Sequence, residues 1–269
     1  MKILFFGDVF GRPGRTALKK HAPKLVERYN PDFVVANVEN IAHGSGVTES
    51  TLNELEETGI FNAYTSGDHI WDTQKAKEIL TGGKHTLIRP ANYNNMPGAG
   101  HVVVRNGARQ ILVINLLGRV FMKHDVENPF KIVDEILSGY YMGETGEGER
   151  VDAILVDFHA EATAEKKALG FHLDGRVSAI LGTHTHVPTA DEQLLPKGSA
   201  YVSDVGMVGP YNSVIGLGKE AIVSQYVTGE KQKTDVSDEN FVEIGAILVE
   251  ISKNGLAEQV THLRDIVKI

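Results

Sequence analysis

Two histidines separated by one residue, His184 and His186, are the side chains of this sequence that first suggest chemistry. They follow residues 177–181, a largely apolar run that is typical of a buried strand. In an extended chain residues i and i+2 point to the same side, so both imidazoles are expected to face one point. Because neutral imidazole is a common metal ligand, the pair predicts half of a metal site. The alternative is a pair of exposed loop histidines.

Further polar residues directly follow four other predicted strands. In open α/β sheets, ligands bind outside the carboxyl ends of the strands. A single Asp after a strand is usually a turn or helix-cap residue, but five strand ends with such residues on one rim favour a shared site. The additional candidates are Asp8, Glu39, Asn40, Asp68, His69 and His159.

The candidate ligands outnumber the needs of a single ion. Three carboxylates, three imidazoles and one amide suit two ions that share a bridging carboxylate. Since the chain has no cysteine, every ligand must be N or O, and mixed N/O ligation favours Mn, Fe, Zn or Ni over Ca or Mg. Two such ions about 3.5–4 Å apart polarise a phosphoryl oxygen and lower the pKa of a bridging water toward about 7. The predicted reaction is therefore in-line hydrolysis of a phosphoester.

The composition limits the kinds of molecule that this protein is expected to bind. The 269 residues carry a net charge of −8, which argues against binding to duplex nucleic acid but allows a small phosphodiester whose charge metal ions neutralise. No apolar run is long enough to span a membrane, and the apolar start is too short for a signal peptide. We therefore expect a cytoplasmic protein, and a homo-oligomer is compatible with the sequence.

The elements that must position these residues alternate between strand and helix. Strands over residues 3–6, 33–38 and 63–66, with helical spacing between them, predict a parallel sheet with right-handed crossovers. Residues 11–14 are expected to form a turn before the first helix, and Asp72 to cap a later one.

The chain after residue 100 contains strands at 151–158 and 177–181 and two hairpins, with turns at Asn106-Gly107 and Asn254-Gly255. These patterns predict one domain over residues 1–269. Residues 209–239 are polar, and we expect them to form a mobile flap.

Five segments with candidate site residues, together with Arg89-Pro90-Ala91-Asn92 and Asp204-Val205-Gly206-Met207, carry a family resemblance that extends in order from Met1 to about Gly218. The sequence resembles the YmdB-like bacterial branch of the calcineurin-type metallophosphoesterases. The resemblance implies an α/β fold, a four-layer αββα sandwich with two mixed β-sheets, and phosphodiesterase activity on 2′,3′-cyclic nucleotides. The segments are Gly7-Asp8-Val9-Phe10-Gly11, Val38-Glu39-Asn40-Ile41-Ala42-His43-Gly44, Gly67-Asp68-His69-Ile70-Trp71-Asp72, Asp157-Phe158-His159-Ala160-Glu161-Ala162-Thr163 and Gly182-Thr183-His184-Thr185-His186.

The resemblance also implies a role for each candidate. His69 would be the catalytic residue that faces the leaving group. The wider superfamily has a His ligand where this chain has Phe10, and in this branch Asn40 would take the place of that ligand. The branch usually has Asn at the position of Asp68, so this chain departs from its own branch there. One ion would be held by Asp8, Glu39, Asn40 and His186, and the other by Glu39, Asp68, His159 and His184.

Two other functions compete with hydrolysis. Gly7, Gly11 and Gly14 after a strand are weakly similar to a dinucleotide-binding fingerprint, but an oxidoreductase would leave the strand-end histidines without a role. The second is a metal-binding regulatory protein that senses a nucleotide or RNA-derived ligand with little turnover. The sequence does not separate this protein from a slow enzyme.

Overall fold

Two β-sheets pack face to face in a computed structural model that describes residues 1–269. The strands are β1 (Lys2–Phe6), β2 (Asp8–Val9), β3 (Phe33–Asn37), β4 (Ala63–Thr65), β5 (His101–Asn106), β6 (Arg109–Leu117), β7 (Tyr140–Tyr141), β8 (Glu149–Arg150), β9 (Ala153–His159), β10 (Ala179–Thr183), β11 (Gln193–Leu194), β12 (Ala200–Val202), β13 (Met207–Pro210), β14 (Phe241–Ile251) and β15 (Ala257–Lys268). The helices are α1 (Gly11–Tyr29), α2 (Glu49–Glu56), α3 (Ala76–Thr81), α4 (Pro129–Leu137), α5 (Thr163–Leu173) and α6 (Lys219–Thr228).

Both large sheets are mixed. The first has the order β2-β13-β14-β1-β3-β4, and β15 pairs with β14 on the edge opposite β1 and β13. The second has the order β11-β12-β10-β9-β6-β5. Strands β1, β3 and β4 are parallel, as are β6, β9, β10 and β12, while β14 runs antiparallel to β1. The two predicted hairpins are present as β5–β6 and β14–β15.

Three buried clusters show the layers. One lies between the first sheet and α1 and α2, where Leu18 and Leu52 pack near Leu4. The second fills the space between the two sheets, and the third lies between the second sheet and α4 and α5, with Val133 and Leu169. The predicted four-layer αββα sandwich is confirmed.

Helix α1 begins earlier than the sequence predicts. Residues 11–14 form its first turn and not a separate turn, so that prediction is wrong. Gly11 adopts a φ of +57°, which suits glycine, and Pro13 lies in the first turn, where a backbone N–H has no partner to lose.

Residues 211–239, which we name the arm, leave β13 and return to β14. Backbone bonds join the two sides of the arm, from Gly218 N to Asp235 O (3.1 Å) and from Ser237 N to Gly216 O (3.0 Å). Helix α6 forms part of the arm and has no buried residue. The mobility of the arm stays a prediction.

No helix of the chain is both long and apolar enough to cross a membrane.

Candidate metal centre

All eight predicted site residues lie together where the carboxyl ends of parallel strands from the two sheets meet. Their ligand atoms form two groups, each with all atoms within 4.8 Å of one another, and Glu39 belongs to both groups. One group contains Asp8, Glu39 and His186, and the other contains Glu39, Asp68, His159 and His184. Asn40 contacts the first group, and the His69 backbone N donates to Glu39 Oε2 at 3.1 Å.

The pair of histidines faces the site for a different reason from the one expected. Strand β10 ends at Thr183, so strand alternation does not orient the rings. Instead His184 and His186 have φ angles of +100° and +65°, which residues other than glycine seldom adopt. The resulting turn places His184 Nδ1 3.0 Å from His159 Nε2, and His186 Nε2 3.9 Å from Asp8 Oδ1.

Two buried oxygen atoms at the first group have no hydrogen-bond donor. Asn40 directs its amide nitrogen to Glu39 Oε1 (2.9 Å), so its Oδ1 has no partner, and Asp8 Oδ1 has none either. An unpaired buried polar atom is destabilising, typically by about 1–3 kcal/mol. A cation at Asp8 Oδ1 would remove that penalty, and rotation of the Asn40 amide, whose nitrogen now faces Glu39 and His186, would turn its oxygen toward the same ligands, so the residues present fit a metal ion.

The charges at the second group also favour a cation. Burial acts to lower the pKa of His159, but the charge of Glu39 and hydrogen bonds with Asp68 and Glu39 outweigh it and hold that pKa well above its usual value. At the first group, burial raises the pKa of Asp8, because a buried carboxylate without a counter-charge is unfavourable. The clustered carboxylates therefore attract positive charge, as a metal site must.

Asp157 lies behind His159 and connects the two sheets. It accepts hydrogen bonds from Asn37 Nδ2 (2.9 Å), Thr183 Oγ1 (2.7 Å) and Thr65 Oγ1. Because the Thr183 hydroxyl donates to Asp157, it accepts from His159 Nδ1 at 2.9 Å, which leaves Nε2 free to bind a metal. Burial raises the pKa of Asp157 to about 6.

The other two histidines are held in a similar way. His184 Nε2 lies 3.3 Å from Glu161 Oε2, so Nδ1 is the nitrogen that faces the site. His186 Nδ1 donates to the Ile215 carbonyl at 2.9 Å, so Nε2 faces the site. Sequence reasoning assigned no role to Glu161, although it lies two residues after His159 in a quoted motif. The backbone contact from Ile215 had no signal in the sequence.

His69 contacts the carboxylate of Asp72, for which the sequence predicted a different role. Its Nδ1 lies 2.7 Å from Asp72 Oδ2 and 3.2 Å from Ser45 Oγ. Asp72 was expected to cap a helix, but α3 begins only at Ala76, and the 3₁₀ turn Asp68–Trp71 places Asp72 beside His69. The i, i+3 spacing of this pair was the signal that could have identified the contact.

A buried ion pair supports the turn that carries His184 and His186. Lys166 Nζ donates to Asp204 Oδ2 and to the Thr183 carbonyl, each at 2.8 Å. Asp204 Oδ2 also accepts from the backbone N of Thr185 at 3.0 Å, so the pair holds the chain on both sides of His184.

A cavity of about 640 Å³ opens beside the two groups. Glu39, His184 and His186 line one side, and Leu217 and Tyr226 of the arm line another. The arm therefore bounds the space from which a substrate would reach the candidate metal ligands.

The comparison with known proteins starts from the whole chain. The sequence profile of the family described as "YmdB-like protein" matches residues 4–263. The chain belongs to this family. The YmdB-like family that the motifs predicted is thereby confirmed.

Similar proteins agree with the YmdB-like assignment. A Bacillus subtilis protein named 2′,3′-cyclic-nucleotide 2′-phosphodiesterase is 44% identical over 229 residues, which cover 85% of this chain and 83% of that protein. The crystal structure of a novel phosphatase from Mycoplasma pneumoniae superposes with a TM-score of 0.89 at 34% identity, over 100% of this chain and 94% of that one. A hypothetical protein from Thermus thermophilus gives a TM-score of 0.88 at 36% identity, over 99% of both chains.

Proposed function

We propose that this chain is a dinuclear-metal-dependent phosphodiesterase that hydrolyses small phosphodiesters, with 2′,3′-cyclic nucleotides as the best candidates. The observation that carries the proposal is the pair of ligand groups that share Glu39 beside a cavity. The similarity to the Bacillus subtilis 2′,3′-cyclic-nucleotide 2′-phosphodiesterase supports the choice of substrate. We also propose that residues 1–269 act as one domain, because both sheets contribute ligands.

Each ion would have its own ligands as well as Glu39. The mixture of imidazole, carboxylate and amide donors favours Fe, Mn, Zn or Ni. When bound, the two ions would neutralise the charge of the phosphodiester and activate a water molecule as nucleophile. Asp8, Glu39, Asn40 and His186 would hold one ion, and Glu39, Asp68, His159 and His184 the other.

His69 supplies the proton that the leaving group needs. Water adds to phosphorus while the bond from phosphorus to one ribose oxygen breaks, and that oxygen leaves as a hydroxyl after it receives a proton. Asp72 accepts from Nδ1 of His69 and so fixes the ring, which leaves Nε2 free to donate to the leaving oxygen. Ser45 contacts the same nitrogen and carboxylate and restricts the movement of both.

The test compares variants of two histidines on a 2′,3′-cyclic nucleotide. His69→Ala should lower kcat by about 10²–10⁴-fold, as loss of a general acid does, with metal content unchanged. His172→Ala, on α5 and outside the cavity lining, is the control. Elemental analysis of the wild type should approach two metal equivalents. Full activity at one equivalent, or loss of metal in His69→Ala, would contradict these roles, and absence of turnover in the loaded protein would favour the regulatory alternative.

A further inference from the structure

The aromatic rings around the cavity differ in whether a substrate can reach them. Phe10 is buried, with its ring edge-on to His186 at a centroid distance of 5.4 Å. His69 is held by Asp72. Apart from the candidate metal ligands, two exposed rings line the cavity, those of His43 and Tyr226.

Tyr226 has an unusual position for a large side chain. It lies on α6, none of whose residues is fully buried, and it is 83% exposed. It nevertheless lines the same cavity as Glu39 and His184. Burial in the core therefore does not account for an aromatic ring at this position, whereas a ligand in the cavity would contact it.

The arm that carries Tyr226 is connected to the candidate metal site. The Ile215 carbonyl of the arm accepts a hydrogen bond from His186 Nδ1 at 2.9 Å. The Val236 side chain lies beside Gly11 and Gly44, close to the strand ends that carry Asp8 and Asn40. The base of the arm is thus attached beside the candidate ligands, and α6 extends from it along the cavity.

The cavity is larger than a phosphate group requires. Its volume of about 640 Å³ lies in the range typical of small-molecule sites, about 300–1,000 Å³. The lining offers polar and apolar surface in about equal parts. A flat group with polar edges suits an exposed Tyr ring, because stacking needs only a π face and the edges can stay hydrated.

We infer that Tyr226 is the surface on which the base of a nucleotide substrate stacks while its phosphodiester lies at the candidate metal ligands. This inference rests on the proposed function and deepens it. It names the residue that recognises the base of the proposed substrate, and it makes this recognition independent of which base is present, since every base offers a π face.

The experiment compares Tyr226→Ala with Tyr226→Phe on two substrates. One is adenosine 2′,3′-cyclic phosphate, and the other is ribose 2′,3′-cyclic phosphate, which has the same reacting group without a base. Tyr226→Ala should lower kcat/KM on the nucleotide by about 5–150-fold, chiefly through KM, which is the range expected for one base–aromatic stack. It should leave the base-free substrate unchanged, and Tyr226→Phe should retain the wild-type preference.

The matched control is Val227→Ala, because Val227 is 79% exposed on the same helix and does not line the cavity. An equal loss on both substrates would show a structural effect of Tyr226 and overturn the inference. The inference would also be overturned if Tyr226→Ala left kcat/KM on the nucleotide unchanged, or if His43→Ala and not Tyr226→Ala lowered kcat/KM on the nucleotide alone.

A binding measurement separates this inference from the proposed function. Calorimetric titration with adenosine 3′-monophosphate should show weaker binding to Tyr226→Ala than to wild type, while inorganic phosphate binds both equally. If the wild type hydrolyses neither cyclic phosphate, the proposed activity fails, and the titration still decides whether Tyr226 contacts the base. Equal affinity of both proteins for the nucleotide would overturn the inference.

Discussion

Replacing Lys166 with methionine removes one partner of the buried ion pair behind the turn that carries His184 and His186. The side chains of Lys166 and Asp204 are only 2% and 1% exposed. Methionine preserves the length and apolar stem of lysine but carries no charge. The Asp204 carboxylate then stays buried without its counter-charge, and the Thr183 carbonyl loses a donor.

The expected effect is large because water does not reach the pair. Breaking a buried pair by removing one partner typically destabilises a protein by about 3–5 kcal/mol. For a chain of this size that loss corresponds to a decrease in Tm of about 6–20 °C. Since Asp204 also accepts from Thr185 N, between the two histidines, metal affinity should fall by about 10–100-fold, as when a residue that orients a ligand is lost.

Thermal unfolding followed by circular dichroism, with and without added metal, measures both effects. Lys77→Met, at an exposed position on α3, is the matched control and should change Tm little. Adding Asp204→Asn to Lys166→Met should recover part of the stability, because a neutral amide is easier to bury than a carboxylate. If Lys166→Met lowers Tm no more than Lys77→Met does, the reasoning about the pair is refuted.

Two further substitutions test the ligand groups themselves. Gly67→Ala would place a Cβ 2.2 Å from Glu39 Oε2 and 2.4 Å from His159 Nε2, so we expect metal content measured by elemental analysis to fall. Gly139→Ala, whose Cβ would have its nearest neighbour at 3.5 Å, should retain the wild-type content, and an equal loss in both would contradict the steric argument. Asp68→Asn keeps an oxygen ligand but removes a negative charge, so at saturating metal it should raise kcat/KM on a phosphodiester and weaken binding of one ion. Equal or lower kcat/KM in that variant would contradict the charge argument.

Much of the candidate site was predictable from the sequence. A buried strand is visible as a short apolar run, and the polar residue that follows it marks the carboxyl end. Parallel strands place those ends on one rim, so Asp8, Glu39, Asp68 and His159 could be grouped before any distance was known. The resemblance to the YmdB-like branch supplied the order of the layers, and the structure confirmed it.

Other features depend on contacts between residues that are distant in sequence. Strand alternation correctly predicted that His184 and His186 face one site but not why, because their positive φ angles come from a turn held by Lys166 and Asp204. Asp72 was predicted to be a helix cap because its actual partner, the imidazole of His69, lies in a 3₁₀ turn that has no apolar pattern in the sequence.

The arm illustrates the same limit. Its sequence is polar and without a clear period, so local patterns predicted only a flap. Tyr226 reaches the cavity because β13 pairs with β2 on one side and with β14 on the other, which brings both ends of the arm to the site. The sequence by itself therefore determined which chemical groups end each strand. Only the tertiary structure decided what surrounds them, because packing between elements depends on shape and distance that no local pattern encodes.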